Sequence, residues 1–160
     1  MSKNTSTEHA ADQSAEEYIT VMIADQLFGL HILEVQDVFM PSAITTVPLA
    51  GADVAGVLNL RGRIVTAIDM RKRLGLPPLD RSSSTMAVGI EHKGESYGLI
   101  IDKVGEVLRL AADSFEPNPA NLDSRWAAVS AGVHRLDGSL MVVIDVDKVL
   151  GQQDETANAA

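Results

Sequence analysis

The sequence predicts a mainly β fold made of two copies of one small closed barrel. Short β-branched runs bounded by Gly, Asp or Ser recur along the chain, which is typical of antiparallel strands. The segment GVLNLRGRIVTAIDMRKRLG also recurs near the C-terminus as GVHRLDGSLMVVIDVDKVLG. Only two stretches, 70–74 and 146–150, have a helical pattern, and each spans about one and a half turns. We therefore expect strands joined by tight turns rather than a helical domain.

Five runs are predicted as strands, in chain order: Tyr18 to Ala24, Gly62 to Ile68, Met86 to Ile90, Gly98 to Asp102 and Ser139 to Asp145. Two of them begin at or directly after a Gly-containing pair, Arg61-Gly62 or Asp137-Gly138, and a further apolar run precedes that pair. Such a pair closes a two-residue turn because glycine tolerates positive φ. Each copy therefore contains at least one β-hairpin.

The internal repeat defines the size of the unit. Gly56 to Gly75 aligns with Gly132 to Gly151 without a gap and with nine identical pairs. Upstream, GLHILEVQDV (29–38) aligns with GLIIDKVGEV (98–107). A fixed repeat indicates one supersecondary unit used twice. The Pro- and Ser-containing stretch 74–84 separates the two copies and is suited to a linker.

Each copy is predicted to end in a short helix. Asp69 and Asp145 directly precede the two helical stretches, where a carboxylate can accept hydrogen bonds from the first-turn amides. Gly75 and Gly151 follow them and are predicted to end the helices in the left-handed conformation. The two aspartates are therefore interpreted as helix caps.

The folded part is predicted to span 18–151. The first barrel is placed roughly at 18–76 and the second roughly at 85–151, with strands free to cross between them. Residues 1–17 and 152–160 are polar and lack hydrophobic periodicity, so they cannot offset the entropy of ordering. They are predicted to be flexible tails.

Composition excludes several classes of function. The chain of 160 residues has no cysteine, and its 22 acidic against 13 basic residues give a formal net charge of -9. Without thiolates there is no Fe-S cluster or cysteine-based zinc site. The acidic surplus opposes nonspecific binding to nucleic acid and to anionic lipid. No run approaches the ~20 apolar residues of a membrane span, and no signal peptide is seen, so a cytoplasmic protein is predicted.

The candidate catalytic residues are three carboxylates, Asp69, Asp145 and Asp147. Carboxylates at such spacing can hold Mg²⁺ or act as acids and bases, so a small Mg²⁺-dependent hydrolase is the alternative function. The repeat argues against it, because it places Asp69 and Asp145 at the same capping position on separate barrels. The four histidines have no second ligand at metal-binding spacing. No catalytic residue, cofactor or metal is therefore predicted, and the protein is not expected to be an enzyme.

The two copies differ at the hairpin turn, where the first carries Arg61 and the second carries Asp137. A turn arginine is often only a solvated side chain. However, Asn59-Leu60-Arg61-Gly62 combines an apolar residue with a planar donor fork, which suits the surface of a partner protein. Asp37 is the nearest candidate acid to hold Arg61.

The run 56–75 resembles the signature of the CheW family, in which G-V-x-N-L-R-G is followed by I-V and by a hydrophobic-Asp-hydrophobic-Arg segment. The similarity extends to YITVMIADQLFGLHILEVQDVFMP, VPLAGADVAG, YGLIIDKVGEVLRL and MVVIDVDKVL, and so spans nearly all of 18–150. It implies two intertwined SH3-like five-stranded barrels. It also implies a non-catalytic chemotaxis adaptor of a two-component system, which couples the cytoplasmic tips of methyl-accepting chemoreceptors to the regulatory domain of the histidine kinase CheA.

The resemblance also implies the contact residues. Receptor contacts fall on Val35, Asp37, Gly56, Asn59, Leu60, Arg61 and Gly62. Kinase contacts fall mainly on the second barrel and the barrel ends. We expect a stand-alone adaptor, monomeric in isolation, at receptor arrays beneath the inner membrane. Two positions depart from the family pattern: Asp37 is often Glu, and Thr66 stands where many members have Pro.

Overall fold

The computed structural model describes residues 15–42, 44–48, 51, 53–79 and 84–151. Within these ranges the mainly β prediction is confirmed, with strands in two sheets. The strands are β1 (Ala15–Ile23), β2 (Gln26–His31), β3 (Val35–Phe39), β4 (Val54–Leu60), β5 (Arg63–Asp69), β6 (Met86–His92), β7 (Glu95–Ile101), β8 (Lys103–Ala111), β9 (Phe115–Glu116), β10 (Ser130–Leu136) and β11 (Ser139–Ile144). The helices are α1 (Met70–Arg73), α2 (Ser124–Ala127) and α3 (146–151), and short 3-10 turns cover Ile32–Glu34 and Ala112–Ser114.

The start of the folded part lies earlier than the sequence indicated. Ala15, Glu16 and Glu17, predicted to belong to the N-terminal tail, form the outer end of β1 and pair with residues 109–111 of β8. Backbone pairing needs no apolar side chain, so their polarity hid this end of the strand. The remainder of that tail, residues 1–14, and the C-terminal tail at 152–160 lie outside the described residues.

The two repeats exchange their first hairpins. The six-stranded sheet has the order β8-β1-β2-β11-β10-β9, and the five-stranded sheet has the order β3-β6-β7-β5-β4. The hairpin β1-β2 therefore lies in the sheet otherwise built from the second repeat, beside β11 in parallel. The hairpin β6-β7 lies in the other sheet, beside β5 in parallel. Each sheet takes strands from both halves of the chain, whereas closure into SH3-like barrels stays a prediction.

The predicted helix caps are present in both repeats. The side chain of Asp69 accepts a hydrogen bond from the Lys72 amide, and that of Asp145 accepts one from the Lys148 amide, each at 3.2 Å. Gly75 has φ +72, as predicted for a helix stop. The same prediction for Gly151 is wrong, because that residue is still helical.

One continuous apolar core joins the two sheets. It includes Phe28 and Leu30 of β2 together with Leu99 of β7 and Val142 of β11, all fully buried. Trp126 of α2 packs on this core, with its ring edge-on to Phe28 at 5.4 Å. Burying apolar surface in common couples the stability of the two sheets. Within the described ranges, no helix is long and apolar enough to cross a membrane.

Candidate functional site

The turn between β4 and β5 presents the loop that differs between the repeats. Arg61 and Gly62 have φ +54 and +86, the two positive values of a type I′ hairpin turn. The Asn59 side chain accepts a hydrogen bond from the Gly62 amide at 2.9 Å. This bond replaces one that the strand ladder cannot supply at the turn. The Asn59-Leu60-Arg61-Gly62 sequence therefore fixes the turn by itself.

Arg61 forms an ion pair with Asp37 of β3. The guanidinium Nη1 donates to Asp37 Oδ2 at 2.8 Å, and the second carboxylate oxygen accepts from the Val38 amide at 2.9 Å. The Arg61 side chain is 77% exposed, whereas that of Asp37 is 20% exposed. The shorter acid thus reaches the arginine, and it orients the guanidinium while leaving most of its surface in solvent.

The positive φ of Arg61 belongs to the hairpin geometry. Ala24 and Lys93, in the turns β1-β2 and β6-β7, have φ +54 and +52. A left-handed conformation at a residue with a Cβ costs about 1 kcal/mol. The Arg61 side chain is therefore held at this turn at a small conformational cost, as in two other hairpins of the same chain.

Only some of the predicted receptor-contact residues are exposed around the β4-β5 turn. Val35 is half-buried and packs against the main core, and Leu60 packs against a smaller cluster around Leu58 and Val65. Gly56 is buried at a register shift of β4. These residues are buried or half-buried, whereas the exposed groups are Asn59, Arg61 and Gly62, with the partly exposed Asp37 paired to Arg61.

One residue that the sequence reasoning missed lies on the same hairpin. Ile64 pairs with Asn59 across β4-β5 and is 66% exposed. Its signal is the alternation of β5, because Val65 and Ala67 are buried and Ile64, directly before Val65, falls at an outward position where an apolar residue has no role in the core. We use the name loop surface for Asp37, Asn59, Arg61, Gly62 and Ile64. A guanidinium held by an ion pair, on the same hairpin as an exposed aliphatic side chain, suits a protein contact.

The candidate catalytic aspartates lie in different places. Asp69 lines a surface pocket of about 290 Å³ with Arg71 and Asp102. Asp145 and Asp147 line another, of about 180 Å³, which also holds His31 and His92. In the part of the chain that the structure describes, no group of three His, Asp or Glu side chains is arranged to hold a metal ion.

The histidines have acidic or hydroxyl neighbours that sequence spacing did not reveal. His31 Nδ1 lies 3.3 Å from Glu16, and His92 Nδ1 lies 3.5 Å from Asp147. His134 is buried in a hydrogen-bonded chain. These contacts join residues that are distant in sequence, so no local motif announced them; His9 lies outside the described residues.

Comparison with known proteins identifies similar chains. A family model described as CheW-like domain matches residues 17–154. The probable chemotaxis protein CheW of Rhizobium etli is 25% identical over 91% of this chain and 94% of its own length. The chemotaxis protein CheW of Thermotoga maritima is 28% identical over 84% of this chain and 87% of its own length. The crystal structure of the scaffolding protein TtCheW from Thermoanaerobacter tengcongensis superposes with a TM-score of 0.76 at 29% identity, and covers 84% of this chain and 87% of that one.

Proposed function

The chain belongs to the CheW-like family, and from this premise we propose that it couples the cytoplasmic tips of methyl-accepting chemoreceptors to the histidine kinase CheA. It is a chemotaxis scaffold protein, as its relatives over most of the chain are. We assign it no catalytic activity and place it in the cytoplasm at receptor arrays. The three-carboxylate hydrolase has no supporting geometry, because Asp69 lines a different pocket from Asp145 and Asp147.

The observation that carries the receptor assignment is the Arg61–Asp37 pair at 2.8 Å. It positions a largely exposed guanidinium on the hairpin that also carries the exposed Ile64, and the second repeat has Asp137 in place of Arg61. A preformed donor fork loses little entropy on binding, so such an arginine can contribute strongly at a protein interface. We propose that the loop surface contacts the receptor tip and that Val35, Gly56 and Leu60 act by supporting it.

Kinase contacts are assigned to the six-stranded sheet and to the ends of the two sheets. Two apolar side chains support this assignment: Val107 of β8 is 49% exposed and Phe115 of β9 is 39% exposed. β8 also forms one end of the strand order in that sheet. Exposed apolar residues on a sheet edge favour association with another protein. The loop surface and these residues lie on different sheets, so one chain can contact two partners.

The proposal is tested by co-sedimentation of purified protein with a receptor signalling fragment and CheA. Arg61→Glu is expected to reduce receptor-dependent sedimentation and kinase activation at least tenfold, because it reverses the charge at the centre of the loop surface. The thermal midpoint should change little, because an ion pair this exposed contributes about 0–1 kcal/mol. Lys93→Glu is the matched control, since Lys93 occupies the same kind of turn with φ +52.

Each result separates two explanations. Loss of coupling in Arg61→Glu but not in Lys93→Glu supports the receptor assignment. Equal loss in both variants would indicate a general charge effect and contradict the assignment. A large fall of the midpoint in Arg61→Glu would make Arg61 a structural residue. Failure of the unsubstituted protein to sediment with either partner would overturn the adaptor function itself.

A further inference from the structure

Glu16, Tyr18 and His134 form a continuous hydrogen-bonded chain across the six-stranded sheet. His134 and Tyr18 are each 1% exposed, and His134 Nε2 lies 3.1 Å from the Tyr18 hydroxyl. That hydroxyl lies 3.0 Å from the Glu16 carboxylate. The other ring nitrogen of His134 lies 3.1 Å from Ser114 Oγ. The chain therefore leads from the core to Glu16, whose side chain is 47% exposed.

These groups form more hydrogen-bond contacts than they have hydrogens to donate. The single hydroxyl hydrogen of Ser114 is donated to the Ala111 carbonyl at 2.8 Å, so Ser114 can only accept from His134 Nδ1. A neutral imidazole then has its lone pair on Nε2 and needs a hydrogen from Tyr18. Tyr18 also has one hydrogen, so it cannot donate to both His134 and Glu16. With His134 neutral and Glu16 ionised, one contact lacks a hydrogen.

We propose that Glu16, Tyr18 and His134 share one exchangeable proton and that the Tyr18 hydroxyl changes partner when it binds. Without the proton, Tyr18 donates to His134, and the Glu16 carboxylate is left to His31, whose Nδ1 lies 3.3 Å away. With the proton on His134, Nε2 donates to Tyr18 and Tyr18 donates to Glu16. The chain is then complete, and it holds the outer end of β1 against the rest of the sheet.

Solvent reaches this chain through a surface pocket. A pocket of about 210 Å³ is lined by Glu16, Tyr18, His31, Ala112 and Phe115. The proton enters and leaves at Glu16, while the imidazole stays among apolar groups, with Met141 of β11 directly opposite it in the strand register. Buried donor and acceptor groups that lack a partner are costly, so the hydroxyl follows the proton rather than leaving Nε2 unpaired.

The charged and titratable groups around His134 come from several strands. They are Glu16 on β1, His31 on β2, Glu116 on β9 with its partner Arg135 on β10, and Arg109 on β8, which lines a second pocket with Glu16 and Glu17. Burial lowers the pKa of His134 and is the largest effect; the two glutamates Glu16 and Glu116 raise it, and His31 lowers it. At neutral pH His134 is therefore unprotonated and Tyr18 does not donate to Glu16. Acidification protonates His134, and Tyr18 then donates to Glu16.

The test is an NMR titration of the whole protein with two substitutions. Glu16→Gln supplies an amide hydrogen to the Tyr18 oxygen without a titrating proton, so Tyr18 donates to His134 permanently. Glu95→Gln is the matched control, because Glu95 accepts from Tyr97 at 2.9 Å in a second Glu-x-Tyr pair, in the other sheet. We expect the His134 ring and the Glu16 carboxyl carbon to share one inflection in the unsubstituted protein. Glu16→Gln should lower the pKa of His134 further, and Glu95→Gln should leave it unchanged.

A third variant separates the tyrosine relay from a direct charge effect. Tyr18→Phe removes the hydroxyl but keeps the ring, so the Glu16 carboxyl carbon should lose its inflection at the His134 midpoint. Persistence of that inflection would show that Glu16 senses His134 through space, and would overturn the switch. A His134 titration in Glu16→Gln identical to that in Glu95→Gln would overturn it as well. Because only the isolated protein is titrated, the result does not depend on the assigned partners.

Discussion

Asp102 and Arg71 form a two-point ion pair where the chain crosses from the five-stranded sheet to the six-stranded sheet. Arg71 Nε donates to Asp102 Oδ1 at 2.9 Å and Arg71 Nη2 to Asp102 Oδ2 at 2.6 Å. The same Oδ2 accepts from the Ala24 amide at 2.7 Å. One carboxylate thus ties α1 and the β1-β2 turn to the crossover. The pair raises the pKa of Arg71, mainly through its hydrogen bonds to Asp102.

Asp102→Ala is expected to lower the free energy of unfolding by about 3 kcal/mol, the lower end of the cost of breaking a buried ion pair. It leaves a mostly buried guanidinium without its anion and an amide without its acceptor, since the two side chains are only 15% and 11% exposed. Urea unfolding measures the change. Glu116→Ala breaks the exposed pair with Arg135 and is expected to cost less than about 0.5 kcal/mol. Equal effects would show that the Asp102 pair is as weak as a surface pair.

Gly56 and Gly132 show that both repeats share one bulge. Gly56 has φ +148 and Gly132 has φ +156, each at a register shift between two paired strands. A Cβ at Gly56 would collide with the Thr45 carbonyl oxygen, and a Cβ at Gly132 would lie 2.6 Å from the Glu116 carbonyl oxygen. The backbone of a neighbouring segment passes directly over each glycine, and this explains why the repeat retains both.

Gly132→Ala is therefore expected to destabilise the protein more than Gly138→Ala does. Gly138 also has positive φ, but a Cβ there would meet nothing within 4 Å. Gly138→Ala should cost about 1 kcal/mol from conformation alone, and Gly132→Ala about 2 kcal/mol more from the forced displacement of the neighbouring strand. Chemical unfolding of both variants gives the difference. A similar cost for the two substitutions would mean that the segment over Gly132 yields easily.

The features predictable from sequence are those encoded within a few residues. Asp69 and Asp145 cap helices that begin at the next position, and Arg61-Gly62 closes a turn between adjacent strands, so composition and spacing were sufficient. β8 is not among the predicted strands, because its sequence, KVGEVLRLA, carries Gly and charges and most of its residues are exposed. Its pairing with β1 is set by tertiary contacts rather than by propensity.

The exchange of hairpins had no local signal. Alternation of apolar residues tells which face of a strand is buried, but not which strand lies beside it. The two repeats have the same pattern, so either copy of the hairpin satisfies either sheet equally well on sequence grounds. The difference between the repeats points to Arg61, with Asp37 as the nearest candidate acid, whereas the exposure of Ile64 and the burial of His134 required the structure.

The surroundings of Glu34 predict that protonation of its carboxyl group stabilises the folded state. Burial raises the pKa of Glu34, and Asp145 and Asp147 raise it further, although His31 and His92 oppose this. The folded state therefore binds this proton more tightly than the unfolded state does. The stability it contributes is present below the ordinary glutamate pKa and is lost as the pH rises through the folded value. At neutral pH the Glu34 carboxylate is a destabilising charge.

Glu34→Gln should accordingly raise the thermal midpoint at pH 7, and the gain should shrink as the pH falls toward 4. Differential scanning calorimetry at several pH values measures it. Glu91→Gln is the control, because Glu91 lines the same pocket and this substitution removes the same charge. A gain of equal size and pH dependence in both variants would assign the effect to net charge rather than to the burial of Glu34.

The exchanged hairpins predict that neither half of the chain folds alone. A fragment ending at residue 79 carries β1 and β2 without β8 and β11, and a fragment starting at residue 84 carries β7 without β5. Each would expose apolar surface that the intact chain buries, so each should be largely unfolded. Mixing them should restore the fold, since every missing strand is present on the other fragment.

The fluorescence of Trp126 measures this reassembly, because its ring packs on Phe28 of the other fragment at 5.4 Å. We expect its fluorescence to shift to the blue on mixing at 1:1, and not when the N-terminal fragment carries Phe28→Ala; a blue-shifted emission from the C-terminal fragment alone would show that this half has its own core.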